Sequence, residues 1–221
     1  MKILAFDSTA ANFSVALLLD QKILSKNIIT ESGKQAELLI PQIEKVLSQN
    51  NIWYQDLDLI AATQGPGSFT GTRIGLTVAR TIKLATNLPL ILINSCQAIA
   101  YKYRQKSEKI FVVIDAKADE FFYAEFDQKT NEETAPKLAK LEELAQIFPQ
   151  EKFFLCGSGK KIAAKILEEK KYKFEITNCE DEVEADLVGL LAYEKFKNGE
   201  KFSTDLNPIY LRSPRISERK K

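Results

Sequence analysis

The sequence predicts an α/β protein of two lobes, each built from a βββαβα unit. Three observations lead there. Short apolar runs of strand length recur along the chain, each bounded by polar or glycine-rich turns. In both halves the first runs come as a group before any helical pattern, the signature of an antiparallel meander. Each meander is then followed by alternating helical and strand-like segments, the order of a parallel extension. No low-complexity linker separates the halves, so the lobes are expected to pack directly. At 221 residues a folded chain buries roughly 70–75% of its unfolded surface, enough for one large core or two modest ones.

Lys2–Phe6, Phe13–Leu19 and Lys22–Ile29 are the first three strands. Ser32-Gly33 opens a helix in which Leu39, Ile40, Ile43, Val46 and Leu47 give one apolar stripe, with Pro41 expected to kink it. Leu59–Ala62 is a brief strand, followed by a helix from about Thr70 to Asn87, a strand at Leu88–Ile93 and a helix through Gln97–Tyr103. The second half gives strands at Lys109–Ile114 and Glu120–Phe126, and an ill-defined one between Gln128 and Leu138. A helix at Leu141–Phe148, a strand at Phe153–Leu155, a helix at Lys160–Lys170, a strand at Lys173–Ile176 and a helix at Ala185–Lys197 complete it. We place the first lobe at 1–100, with the segment from about 205 to 221 returning to it, and the second at 101–204.

Composition excludes several chemistries. The chain has 31 basic and 30 acidic residues, so its net charge of +1 does not support binding nucleic acid by bulk charge. It has no histidine, which removes every Ser-His-Asp triad, Cys-His dyad, HExxH zinc site and imidazole relay. Cys96, Cys156 and Cys179 are scattered and form no CxxC pair, so they read as reduced thiols of a cytoplasmic protein. The apolar start before Asp7 is too short for a signal-peptide core, and no apolar run approaches the ~20 residues of a membrane span.

The most informative segment is Gly65-Pro66-Gly67-Ser68-Phe69-Thr70-Gly71. It follows a strand and opens a helix, so backbone N–H groups there could hold an anion. It is not a P-loop, lacking the lysine. Its spacing is not GxGxxG, and Ser68 is not framed as GxSxG. The glycines fit either an anion site or a tight turn built for packing. Asp7-Ser8-Thr9, at the end of the first strand, is the matching acid-hydroxyl turn, or simply a capped strand end. Asp7, Ser8, Thr9, Gly65, Gly67 and Ser68 are therefore the candidate nucleotide or phosphate residues. Asp115 is the counterpart of Asp7 in the second half, and Cys156-Gly157-Ser158-Gly159-Lys160 is a second glycine turn. Phe121, Phe122, Tyr123 and Phe126 read as core rather than as a base-stacking platform. An acid at such turns, together with the doubled βββαβα order, points to the actin/hexokinase/Hsp70-like (ASKHA) fold.

Gly71, Gly75 and Ala79 recur every fourth residue and leave one helix face nearly bare. A bare face lets another helix approach closely, inside the chain or across an interface. Ile74, Val78, Ile82 and Ala85 form the neighbouring apolar stripe. At the far end, Arg212, Arg215, Arg219, Lys220 and Lys221 stand against Glu218 alone. That basic tail is either a solvated terminus or a phosphate-contacting arm. In the second case its removal flattens the salt dependence of nucleic-acid binding.

Four segments resemble the bacterial TsaB (YeaZ) family: ILAFDSTAANFSVAL, DLDLIAATQGPGSFTGTRIGLTVAR, VIDAKADEFFYAEFD and NPIYLRS. They span residue 3 to about 213, and the Gly65–Gly75 segment is the most specific. The resemblance implies the ASKHA fold and a place in making threonylcarbamoyladenosine in tRNA, at the adenosine 3′ of the anticodon. It implies a non-catalytic, cytoplasmic scaffold that pairs with the transferase TsaD and is joined by the ATPase TsaE. Some members of the family form homodimers in isolation, which leaves homodimer and monomer both open for this chain alone, and contact with tRNA is expected through the complex. It implies no tightly bound cofactor, with ATP or ADP and Mg entering only in the assembled complex. The catalytic sister carries an HxxxH metal pair on the helix after the third strand, and Gly33–Pro41 of this chain cannot supply it. The partner interface implied is the helix pair Lys34–Gln49 and Thr70–Thr86, through Gln35, Leu38, Leu39, Gln42, Gly71, Arg73, Ile74, Gly75 and Ala79. On that basis Gly75→Leu should weaken pairing, or misfold if Gly75 faces the core. The competing reading of the residues is an ATP-binding phosphotransferase of the same fold, using Asp7 or Asp115 with Mg.

Overall fold

Strands β1 (Lys2–Asp7), β2 (Phe13–Leu19) and β3 (Lys22–Ile29) form an antiparallel meander, as the three apolar runs predict. The computed structural model describes residues 1–129 and 132–211; the basic tail at 212–221 lies outside them. Helix α1 (Gln35–Gln49) runs through Pro41 as one element and buries Leu39, Ile43, Val46 and Leu47. Then come β4 (Leu59–Thr63), α2 (Phe69–Thr86), β5 (Leu90–Ile93) and α3 (Ser95–Lys102). β4 pairs in parallel with β1 and β5, giving the order β3-β2-β1-β4-β5.

The second half repeats this topology. β6 (Lys109–Asp115), β7 (Glu120–Asp127) and β8 (Glu132–Lys140) form a second antiparallel meander. α4 (Leu141–Ile147), β9 (Phe153–Cys156), α5 (Lys160–Glu169), β10 (Phe174–Ile176) and α6 (Ala185–Lys197) follow. The sheet order is β10-β9-β6-β7-β8. The doubled βββαβα unit is thus the observed architecture.

Several boundaries move for identifiable reasons. α3 starts two residues earlier than expected because the Asn94 side chain accepts from Cys96 N–H and caps it. α2 starts at Phe69 because Ser68 caps it in the same way through Gly71 N–H. β5 starts at Leu90, and the Pro89 carbonyl before it accepts from Ile60 N–H. β8 is a full edge strand that starts and ends later than the sequence suggests, with register shifts against β7.

The layers alternate helix, sheet, helix, sheet, helix. α1 and α2 cover the outer face of the first sheet over a core that includes Phe6, Phe13, Leu39, Ile43 and Leu92. α4 and α5 cover the outer face of the second over Phe111, Phe148, Phe153 and Leu167. Between the sheets lies one shared core that joins Ile3, Ala5, Ala61, Val112, Phe126 and Phe154 through α3 and α6. α6 packs on β1, β2, β4 and β5, whereas α3 packs on β6 and β7. Each middle helix therefore lies on the sheet of the other half. Lys26 on β3 and Lys102 on α3 both pair with Glu184 at the start of α6, and Ala185 N–H donates to Ser14 Oγ at 2.9 Å. Among the described residues no helix is long and apolar enough to cross a membrane.

Candidate functional site

β1 delivers Asp7 to the inner end of the first sheet, where it is fully buried. Its Oδ1 accepts from Thr9 Oγ1 and Thr63 Oγ1, both at 2.6 Å, and from Thr9 N–H at 3.2 Å. Its Oδ2 is buried and has no partner. Burial pushes the carboxyl up to about 6, against the lowering effect of these bonds; the charge of Glu182 adds to the rise. Ser95 Oγ lies 3.2 Å from Thr9 Oγ1, and Ser95 N–H donates to the Gly65 carbonyl at 2.9 Å. The expected acid-hydroxyl turn and the glycine loop are thus brought together.

Their contact is too close to leave space for a phosphate. Ser68 N–H donates to the Thr9 carbonyl at 2.7 Å, and Gly71 N–H donates to Ser68 Oγ at 3.2 Å. Two donors that an anion would need are therefore used within the chain. A Cβ on Gly67 would stand 2.5 Å from the Thr9 carbonyl oxygen, and one on Gly71 2.0 Å from that of Ser8. A Cβ on Gly75 would stand 2.4 Å from Ser8 Oγ, which itself donates to the Gly71 carbonyl at 2.8 Å. This corrects one expectation: the bare stripe of Gly71, Gly75 and buried Ala79 faces the β1–β2 turn and the core, not a partner. Gly75→Leu is consequently a folding defect before it is an interface defect.

The other expected interface positions divide in two. Leu39 is 1% exposed and belongs to the outer core, and buried Gln35 donates to the Ala10 and Ala11 carbonyls. Leu38, Gln42 and Ile74 are half-buried and Arg73 is exposed. Sequence periodicity placed Ile40 in the apolar stripe of α1 and passed over Leu84 on α2, and both are exposed on this outer helix layer. Ile40 on α1 is 49% exposed and Leu84 on α2 is 88% exposed. Helical periodicity names hydrophobic positions without telling which are covered.

The segment after α6 returns to the first sheet. Ser203 N–H donates to the Leu90 carbonyl and Ile209 N–H to the Gln64 carbonyl, at 2.9 and 2.8 Å. Tyr210 stacks on Phe69 with ring centroids 5.0 Å apart, and the Arg73 guanidinium covers Phe69 at 3.8 Å and donates to the Tyr210 hydroxyl. The NPIY residues thus brace the glycine loop from outside.

A cleft of about 740 Å³ separates the lobes, with Thr9, Ser68, Ser95, Asp115, Lys117 and Glu182 among its polar lining. Asp115 ends β6 as Asp7 ends β1. Burial raises its carboxyl, but the bonds and charge of Lys117 outweigh this and hold it below the usual range. Lys117 Nζ lies 2.9 Å from it. Lys160 of the second glycine turn is withdrawn from the cleft: it pairs with buried Asp181 and donates to the Cys179 carbonyl, while Tyr103 donates to the same carboxylate. A Mg-nucleotide needs oxygen ligands for the ion and donors or cations for its phosphates. Lys117, Lys160, Ser68 N–H and Gly71 N–H are all committed within the chain, so these residues do not fit a tightly held Mg-nucleotide.

Comparisons with known proteins agree with this architecture. The TsaD family model, described as tRNA N6-adenosine threonylcarbamoyltransferase, matches residues 22–194. A relative named tRNA threonylcarbamoyladenosine biosynthesis protein TsaB, from Buchnera aphidicola subsp. Schizaphis graminum, is 31% identical over 78% of this chain and 84% of its own. The protein of that name from Escherichia coli is 29% identical over 59% of this chain, and the match spans 57% of its length. Among solved structures, YeaZ from Pseudomonas aeruginosa superposes with a TM-score of 0.76 at 21% identity, over 95% of this chain and 99% of that one. A putative N-acetylmannosamine kinase from Listeria monocytogenes shares the fold at a TM-score of 0.58 and 12% identity, over 90% of this chain and all of its own.

Proposed function

We propose a role that starts from one premise: the chain belongs to the TsaB family of tRNA threonylcarbamoyladenosine biosynthesis proteins. Its work is then part of making that modified adenosine in tRNA. Within this pathway the chain acts as a non-catalytic, cytoplasmic partner. It pairs with a TsaD homologue, which transfers the threonylcarbamoyl group, and a TsaE-type ATPase joins the pair. ATP or ADP and Mg enter with the assembled complex rather than with this chain.

One observation carries the reading: the turn that would cradle a phosphate is filled by the chain's own Ser8 and Thr9. A site closed in this way is suited to holding a shape. The absence of histidine supports the same view, because an HxxxH metal pair cannot be formed. The outer layer of α1 and α2 supplies the docking face, with Ile40, Leu84, Leu38, Ile74, Gln42 and Arg73 as contacts. Apolar side chains ringed by polar ones are the composition of such interfaces.

The test is to mix the purified chain with TsaD from the same organism and measure mass by size exclusion with light scattering. A one-to-one heterodimer is expected in place of any homodimer. Two separate peaks, together with binding and turnover of Mg-ATP by this chain alone, would overturn the reading in favour of a phosphotransferase.

A further inference from the structure

We propose that the end of α5 and the turn after it form a patch that binds the phosphodiester backbone of RNA. The proposal rests on the tRNA-modification role above and uses residues that role leaves unassigned. A surface pocket of about 420 Å³ is lined by Ala145, Gln150, Lys170, Lys171, Tyr172 and Lys173. The three lysines are exposed, and none forms an ion pair with a described residue. Lys161 and Lys165 extend the row along the exposed side of α5. The acids nearby are Glu168 and Glu169 on the last helical turn, whereas Glu175 is taken by Lys152 at 2.5 Å and Glu151 by Lys109 at 3.3 Å. Glu142 on α4, one turn from Ala145, is exposed as well, so five exposed lysines stand against three uncommitted carboxylates.

The floor of the pocket is fixed. Tyr172 donates through its hydroxyl to the Ala145 carbonyl and accepts from Gln150 Nε2, both at 3.2 Å, and its ring meets Phe148 edge-on at 6.2 Å. The turn above it is equally defined. Tyr172 N–H donates to the Leu167 carbonyl and Lys171 N–H to that of Glu168, the paired bonds of a Schellman end. The residue at its left-handed position is Lys171, with φ +59°. The ends of α1 and α6 place Asn51 and Gly199 at that position, the residues that adopt it at least cost. At α5 a side chain disfavoured by the backbone brings a further ammonium group to the rim.

Lysine binds phosphate as a mobile point charge, and several on a rigid rim suit a chain of spaced phosphates. With a net charge of only +1, long-range attraction of nucleic acid has to come from a local patch such as this one.

The test compares the full-length chain with K170Q/K171Q/K173Q and with Lys171→Gly, each with its TsaD partner. Fluorescence anisotropy of a labelled tRNA transcript is read across a salt series. The triple variant is expected to bind at least about tenfold more weakly at ~0.1 M salt and to lose about three units from the slope of log K against log salt; Lys171→Gly should lose about one. Unchanged affinity and slope in a triple variant with native circular dichroism would overturn the proposal. So would a loss of TsaD or TsaE association with tRNA binding intact, which would assign the patch to an acidic protein surface. Failure of the wild-type chain to pair with TsaD would instead overturn the proposed function, whatever the triple variant does.

Discussion

Gly75→Ala is the change whose effect the structure fixes most closely. In isolation it should stabilise, since alanine is favoured over glycine inside a helix by about 1 kcal/mol. Here the added methyl would stand 2.4 Å from Ser8 Oγ. Relief requires that hydroxyl to swing away from the Gly71 carbonyl, which it meets at 2.8 Å. Losing the bond costs about 1 kcal/mol, and overpacking about 1–3 kcal/mol. The sum is a net loss of about 1–3 kcal/mol. Ser8→Ala removes the obstructing atom and costs about 1 kcal/mol alone. The double variant should therefore lie near the wild type, with a coupling of about 2–4 kcal/mol. Gly71→Ala is the internal control, because its methyl would meet the backbone oxygen of Ser8 at 2.0 Å, which Ser8→Ala leaves in place. Urea unfolding of the set gives these differences directly. If the Gly75→Ala and Ser8→Ala effects add within about 0.5 kcal/mol, the packing argument is refuted.

Four further outcomes are expected. Asp7 has a folded pKa of about 6 against 3.8, so its contribution is most favourable below about pH 4 and declines until about pH 6. Relative to Asp7→Asn, the wild type should then lose up to about 3 kcal/mol across that window in urea midpoints and change little above it. Ile40→Asp and Leu84→Asp leave stability within about 0.5 kcal/mol but weaken TsaD pairing at least tenfold by calorimetric titration. Lys160→Met strands the Asp181 carboxylate and lowers stability by about 3–5 kcal/mol, and the double variant with Asp181→Leu recovers only part of it in thermal melts, because the Tyr103 hydroxyl and Gly157 N–H lose the same acceptor. Lys171→Gly relieves a left-handed lysine and raises stability by about 0.5–1 kcal/mol, read as a higher Tm.

The architecture was legible wherever strands are buried. Ile3–Phe6, Val15–Leu18 and Ile110–Val113 are continuous apolar runs because both faces of their sheets are covered by helices. β8 was the weakest signal because it is an edge strand, largely polar and carrying Pro136, for which an edge is the tolerated place. In the site, the sequence located the glycine loop and the Asp7 turn but not their relation. Gly71, Gly75 and Ala79 define a stripe by spacing alone, and only the fold reveals that Ser8 fills the groove they leave. Lys160 and Asp181 were invisible as a pair for a similar reason. They lie 21 positions apart on either side of β10, and nothing local distinguishes a buried lysine from the exposed Lys161 beside it.

The exchange of α3 and α6 between the sheets has a consequence for how the molecule comes apart. A fragment ending after α3 would carry a helix whose sheet is missing and a sheet whose inner cover is missing; the complementary fragment would have the reverse defect. Neither piece is a self-sufficient folding unit, yet each presents the surface the other lacks. A nick between Tyr103 and Lys109 should therefore leave two polypeptides interlocked in native form and separable only by denaturant. The two repeats must also finish folding together, the first awaiting a helix synthesised more than eighty residues after its own last strand.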